Sequence, residues 1–230
     1  MGKLLVQQKQ IVVPGEVLAE GMDYLPGDGT FRDKNQIVAN ILGLVNLKGR
    51  LIKLIPLAGK YKPKRDDLVI GRVTDIVSKG WVVDINCAYP AMITLRDATA
   101  DFIPKDADLS RYFNIGDYVI ARITRVTSQN LIDLSMRGPM LKKLEGGRLI
   151  KINPTKVPRV IGKKASMINL IKEKTDCQIL VGQNGLIWLN GDPKGEILAV
   201  NAILKIERES HLSGLTEEIE KFIDEGLKAI

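Results

Sequence analysis

Two small residues, Gly162 and Ala165, bracket the pair Lys163 and Lys164 just ahead of a stretch with helical spacing. That arrangement suits a flexible polyanion. Small side chains let a sugar-phosphate backbone approach the main chain, and the free N–H groups of a helix start point at phosphates. The two lysines add point charges, and Arg159 lies one turn upstream. The same residues also read as a helix-capping turn with two solvated lysines. Ala165 matters to either reading, because alanine resists positive φ and adds a methyl where glycine adds nothing. A second candidate group comes earlier. Lys79, Arg96 and Arg111 fall in connections between extended stretches and suit phosphate contact, and Trp81 beside Lys79 suits either base stacking or core packing.

A catalytic reading needs a constellation that the chain lacks. His211 is the only histidine and sits in an acidic stretch, where it reads as a capping or packing residue. With no second histidine and no suitably placed cysteine, nucleophilic triads and histidine-rich metal sites find no support. Cys87 and Cys177 are far apart and outside metal-ligand spacings, so they read as free thiols of an intracellular, cytoplasmic protein. No P-loop or dinucleotide glycine pattern occurs. Asp66, Asp67, Asp97, Asp101, Asp106 and Asp108 would supply a two-metal nuclease, but they fall in turn-rich links where aspartate commonly caps turns. The expectation is a binder with no catalytic residue, no cofactor and no metal.

Three segments must position these groups. Residues 1–62 read as a small all-β unit, with Ile11-Val12-Val13 stopped by Pro14-Gly15 and strands expected over Ile37–Val45 and Leu51–Leu57. Residues 63–140 hold five strand candidates: Leu68–Val77, Gly80–Asn86, Met92–Leu95, Tyr118–Thr127 and Leu131–Met136. Five short strands suit a partly open Greek-key barrel of the OB type, and the link from Arg96 to Gly116 carries Arg96, Lys105 and Arg111. Residues 141–230 read as strand (Arg148–Asn153), helical turn, helix (Ser166–Thr175), two strands (Gln178–Val181, Leu186–Leu189) and helix (Glu196–Glu209). A last amphipathic helix follows Gly214, with Thr216 as its expected cap. The fold class is therefore multidomain α+β.

Charge sharpens this division. The 230 residues carry a net +7, with 45% hydrophobic and 27% charged residues, a globular and basic balance that favours polyanionic partners. Ten basic and two acidic residues lie between Lys142 and Lys174, a local excess larger than that of the whole chain, whereas Glu207 to Glu225 is net acidic. No apolar run approaches the roughly 18 residues of a membrane span, and Met1 to Gln10 has no signal-peptide core.

The stretch Val160-Ile161-Gly162-Lys163-Lys164-Ala165-Ser166-Met167-Ile168 strongly resembles the GxxG loop of the KH domain, with Ala165 where the second glycine stands. The resemblance implies that this loop clamps single-stranded nucleic acid over an apolar groove floor. Val69 to Val73, Gly80 to Asp84 and Asn114 to Ile123 resemble the S-one-type OB domain, although Val82 and Thr94 fall where an aromatic residue and a histidine are common. The order β unit, S-one-type barrel, KH domain resembles the RNA-binding cap subunits of archaeal exosomes, of the ribosomal-RNA-processing-four type. Ile11 to Gly21, Val157 to Lys163, Asn184 to Trp188 and Glu207 to Leu215 carry that likeness over essentially the whole chain. It implies a homotrimeric cap on a hexameric ring of ribonuclease-PH-type subunits, docked through the N-terminal unit. The cap would bind single-stranded RNA and guide its 3′ end to active sites in the ring. A stand-alone OB/KH regulator of transcription or translation is the other binder with this order.

Overall fold

The computed structural model describes residues 2–104, 107–210 and 214–229, and the chain divides into two compact units, residues 1–59 and 60–230. The first unit is all β: β1 (Lys3–Leu4), β2 (Ile11–Val12), β3 (Val17–Glu20), β4 (Leu25–Pro26), β5 (Thr30–Asp33), β6 (Gln36–Ala39), β7 (Gly43–Lys48) and β8 (Leu51–Pro56). They form two four-stranded sheets, ordered β1-β3-β6-β5 and β2-β7-β8-β4. Leu18, Ala19, Ile37 and Ala39 of the first share one core with Val12, Val45, Ile52 and Leu54 of the second. The single strand expected over Ile37–Val45 is thus two strands in different sheets. The chain turns at Asn40, whose N–H donates to the carbonyl of Gly29. Gly43 then passes close to the carbonyl of Ile55, where a Cβ would stand 2.8 Å from the oxygen. The apolar residues on both sides of Asn40 hide such a change of sheet, because the sequence pattern does not mark which strand each half pairs with.

The second unit opens with β9 (Leu68–Val77), β10 (Gly80–Asp84), β11 (Ala91–Thr94), the short helix α1 (Leu95–Ala98), β12 (Tyr118–Val126) and β13 (Ile132–Ser135). Antiparallel pairing runs β11-β10-β9-β12. β13 closes the barrel by pairing antiparallel with β12 and parallel with β11, the OB arrangement. β14 (Lys142–Leu144) adds to the free side of β12, with Tyr118 opposite Leu144. A boundary between residues 140 and 141 assigns this strand to the following domain, yet its ladder belongs to the barrel. Lys143 fastens it there with an ion pair of 2.7 Å to Asp117.

The rest is β15 (Arg148–Lys151), α2 (Val157–Ile161), α3 (Ser166–Thr175), β16 (Gln178–Val181), β17 (Leu186–Asn190), α4 (Pro193–Arg208) and α5 (Leu215–Ala229). An antiparallel sheet ordered β15-β17-β16 backs the helices. α4 starts three residues before the expected Glu196, because Asp192 accepts a hydrogen bond from the Lys194 N–H and Pro193 takes the first helical position. Thr216, expected to cap α5, lies inside it. Leu215, Ile219 and Ile223 of α5 join the same core as Ile168, Ile171, Leu198 and Ile203.

The opposite face of this sheet is covered by the barrel. Leu149, Leu180, Leu186 and Trp188 pack on Ile70, Tyr118, Ile120 and Leu144. Asn184, fully buried, donates from Nδ2 to the carbonyls of Ile70 (2.7 Å) and Ile85 (2.8 Å), and its Oδ1 accepts from the Ile70 N–H. The Gln183 N–H adds a bond of 2.7 Å to the Leu68 carbonyl. Barrel and helical domain therefore form one body.

Candidate nucleic-acid interface

The loop between α2 and α3 is built from unusual backbone. Gly162 adopts φ 75°, ψ 175°, and a Cβ there would lie 2.8 Å from both the Cβ and the N of Met167, so only glycine fits. Lys164 (φ 53°) and Ala165 (φ 62°) follow in the left-handed region. The alanine thus sits in a backbone conformation that favours glycine, at a cost of about 1–2 kcal/mol. The result is a tight turn with Lys163 and Lys164 exposed at its tip and Arg159 exposed on α2. The apolar residues expected to floor a groove are mostly interior: Val160, Met167 and Ile168 are buried, while Ile161 and Leu170 keep some exposure.

On the barrel, Lys79 occupies the β9–β10 turn, and its carbonyl accepts from the Leu95 N–H at 3.2 Å. This bond brings exposed Lys79 next to exposed Arg96 of α1. Arg111 ends a 3₁₀ turn, Leu109–Arg111, where it pairs with Asp108 at 3.4 Å. Trp81 is not an RNA contact. It is 0% exposed, its Nε1–H donates to the Phe113 carbonyl at 2.8 Å, and Tyr112 and Phe113 meet its ring edge-on. Two residues after Lys79 and facing inward, Trp81 pins the segment that carries Arg111 to the end of the barrel that carries Lys79. Tyr89 lies in the β10–β11 connection, at the other end of β10. The KH domain also docks there, near Leu68 and Ile70. About 30 Å of β9, at about 3.3 Å per residue, separates that end from Lys79. The two basic groups are therefore distinct sites on one body.

The aspartates considered for a nuclease are dispersed into structural work. Asp67 accepts from the Tyr61 hydroxyl at 2.6 Å, and burial first, then this bond, push the phenol well above its usual range. Asp97 accepts from Thr94 Oγ1, Asp108 caps Ser110, and Asp66 pairs with Arg65. Among the described residues no group of three histidine, cysteine or carboxylate side chains is placed to hold a metal. Lys105, Asp106 and His211 lie outside the described residues. No described helix is long and apolar enough to cross a membrane. No local pattern in the sequence shows that the Asn184 side chain bonds to the barrel, because that role depends on which surfaces meet.

A closed OB barrel fused to a KH domain, with cationic loops on both, defines a protein of the single-stranded nucleic-acid-binding class. Residues 9–58 match the model of the exosome RNA-binding protein RRP4 N-terminal domain, residues 60–101 that of the RRP4 S1 domain, and residues 147–195 a KH domain. Over 221 residues the chain is 44% identical to the exosome complex component Rrp4 of Methanothermobacter thermautotrophicus, covering 96% of this chain and 70% of that one. It is 45% identical to the Methanothermus fervidus Rrp4 over 223 residues, 96% and 97% of the two chains. A crystal structure assigned to an exosome complex RNA-binding protein superposes with a TM-score of 0.68 at 36% identity, covering 74% of this chain and 99% of that one. The chain belongs to the Rrp4 family.

Proposed function

We propose that this chain is a non-catalytic RNA-binding subunit of a cytoplasmic exosome. Three copies cap a hexameric ring of ribonuclease-PH-type subunits and guide RNA 3′ ends toward phosphorolytic sites in that ring. The N-terminal β unit holds the ring, the barrel end with Lys79, Arg96 and Arg111 faces the RNA path, and the KH loop extends it. The observation that carries this reading is the loop itself. Gly162, Lys163, Lys164 and Ala165 fold into a tight turn that presents two lysines at a helix start, in a chain that matches Rrp4 relatives over nearly its whole length.

Replacing both lysines, Lys163→Glu with Lys164→Glu, tests it. Both side chains are exposed, so the fold should persist. The expected result is weaker single-stranded RNA binding with a shallower salt dependence, the log–log slope falling by roughly 0.7 for each phosphate no longer neutralised. Parental affinity and slope in the variant would remove the loop from the RNA site. The isolated chain should leave RNA uncut with added Mg²⁺ or Mn²⁺, and shortening of RNA under those conditions would overturn the non-catalytic role.

A further inference from the structure

Among the described residues the barrel strands offer no free ring for a base: Trp81 is internal, Tyr118 packs in the cluster shared with the KH sheet, and Val82 and Thr94 stand at the usual positions. One aromatic of the long link, however, is almost wholly in solvent: Phe102 is 87% exposed. A single exposed apolar residue is ordinary on a protein surface, so the meaning of this ring lies in its setting. The backbone beneath Phe102 is braced. Ile103, next in the chain, is buried in the barrel core. The Thr99 hydroxyl donates to the Asp101 carbonyl at 2.8 Å, and Arg137 Nε donates to the Thr99 carbonyl at 2.9 Å. The Met136 N–H anchors the same stretch through the Asp97 carbonyl at 2.7 Å. The link begins at α1, which carries Arg96 and hangs from Lys79 through the Leu95 N–H. A ring on a braced turn, just downstream of two exposed cations, combines the two elements that grip a single strand: a stacking surface and phosphate partners.

We propose that Phe102 is a stacking platform for a base of single-stranded RNA, with Lys79 and Arg96 holding flanking phosphates. This deepens the RNA-binding reading and rests on it. Lys79 and Arg96 favour RNA over an apolar protein surface, which would leave both cations desolvated and unpaired, although Asp97 and Asp101 of the same link equal them in number.

Two oligomers of equal length, oligoadenylate and an abasic RNA, separate stacking from charge when titrated against the full chain. Phe102→Ala should weaken oligoadenylate binding about 5- to 150-fold, the range of one aromatic–base stack, and leave abasic binding unchanged. Phe102→Trp should keep the affinity, and its indole should be quenched by oligoadenylate but not by the abasic strand. Trp81 and Trp188 are buried and out of reach of a stacked base, so the loss of signal on adding RNA reports the new indole. Lys79→Gln with Arg96→Gln should weaken both oligomers alike. If Phe102→Ala binds oligoadenylate as the parent does while the cation variant is weakened, stacking is overturned and the RNA reading stands. If the parent binds neither oligomer, both readings fall. If Phe102→Ala keeps RNA affinity but no longer co-sediments with ring subunits, the aromatic side chain serves a protein interface and the proposal is wrong.

Discussion

Ala165 shows how much a single position can hold. Its left-handed backbone, φ 62°, is imposed by the turn that Gly162 opens and that Met167 and Ile168 close from below. Ala165→Gly should therefore stabilise the protein by about 1 kcal/mol, since alanine is strained in this region and glycine is not. Urea unfolding of the second unit measures this, and a loss of stability would mean that the alanine methyl packs better than its strain costs. The site residues differ in how far sequence exposes their roles. The two lysines and Gly162 are legible because a close-approach loop has few alternative compositions. Trp81 is not, because an aromatic in a barrel strand faces inward or outward according to register, and a single residue of slip reverses it.

At the scale of elements, what escapes the sequence is which element belongs to which. β14 follows the barrel after a Gly-Pro turn and precedes a glycine pair, so either neighbour could claim it. Its pairing with β12 and the Asp117–Lys143 ion pair assign it to the barrel. That pair gives a pH dependence. Burial alone would raise the Asp117 pKa, but the hydrogen bonds from Lys143 and the Asn114 N–H outweigh it and hold the carboxyl below its usual 3.8. A group depressed on folding contributes stability above its unfolded pKa and loses it as pH falls through the folded value. Asp117→Asn should thus lower the unfolding midpoint at neutral pH, and the two proteins should converge as the pH falls below the folded value of the carboxyl, which lies under 3.8. A constant offset across that range would show that the carboxylate's charge contributes nothing. Long elements such as β9, α3 and β12 are recovered nearly residue for residue, because their periodicity is set locally.

At the scale of the whole molecule, the 60–230 unit is decided by pairings between residues more than 90 positions apart, which no local pattern contains. Asn184 sits on a hairpin turn of the KH sheet, yet its side chain spends every polar atom on the barrel. Gly182 leaves room for it, since a Cβ there would collide with the Asn184 Oδ1. The barrel and KH domain should consequently unfold together. If the KH loop and the Lys79 end act on one RNA strand, this rigid join fixes the spacing between them. Asn184→Ala leaves the carbonyls of Ile70 and Ile85 buried without their donors, a cost of about 3 kcal/mol concentrated at the join. Hydrogen exchange followed by mass spectrometry along a urea series should show β10 and α4 losing protection together in the parent. In the variant, α4 and β10 should open at different urea concentrations. If they still open together, the apolar packing of Trp188, Leu186 and Ile70 is sufficient to couple the domains, and the buried amide contributes stability but not the join.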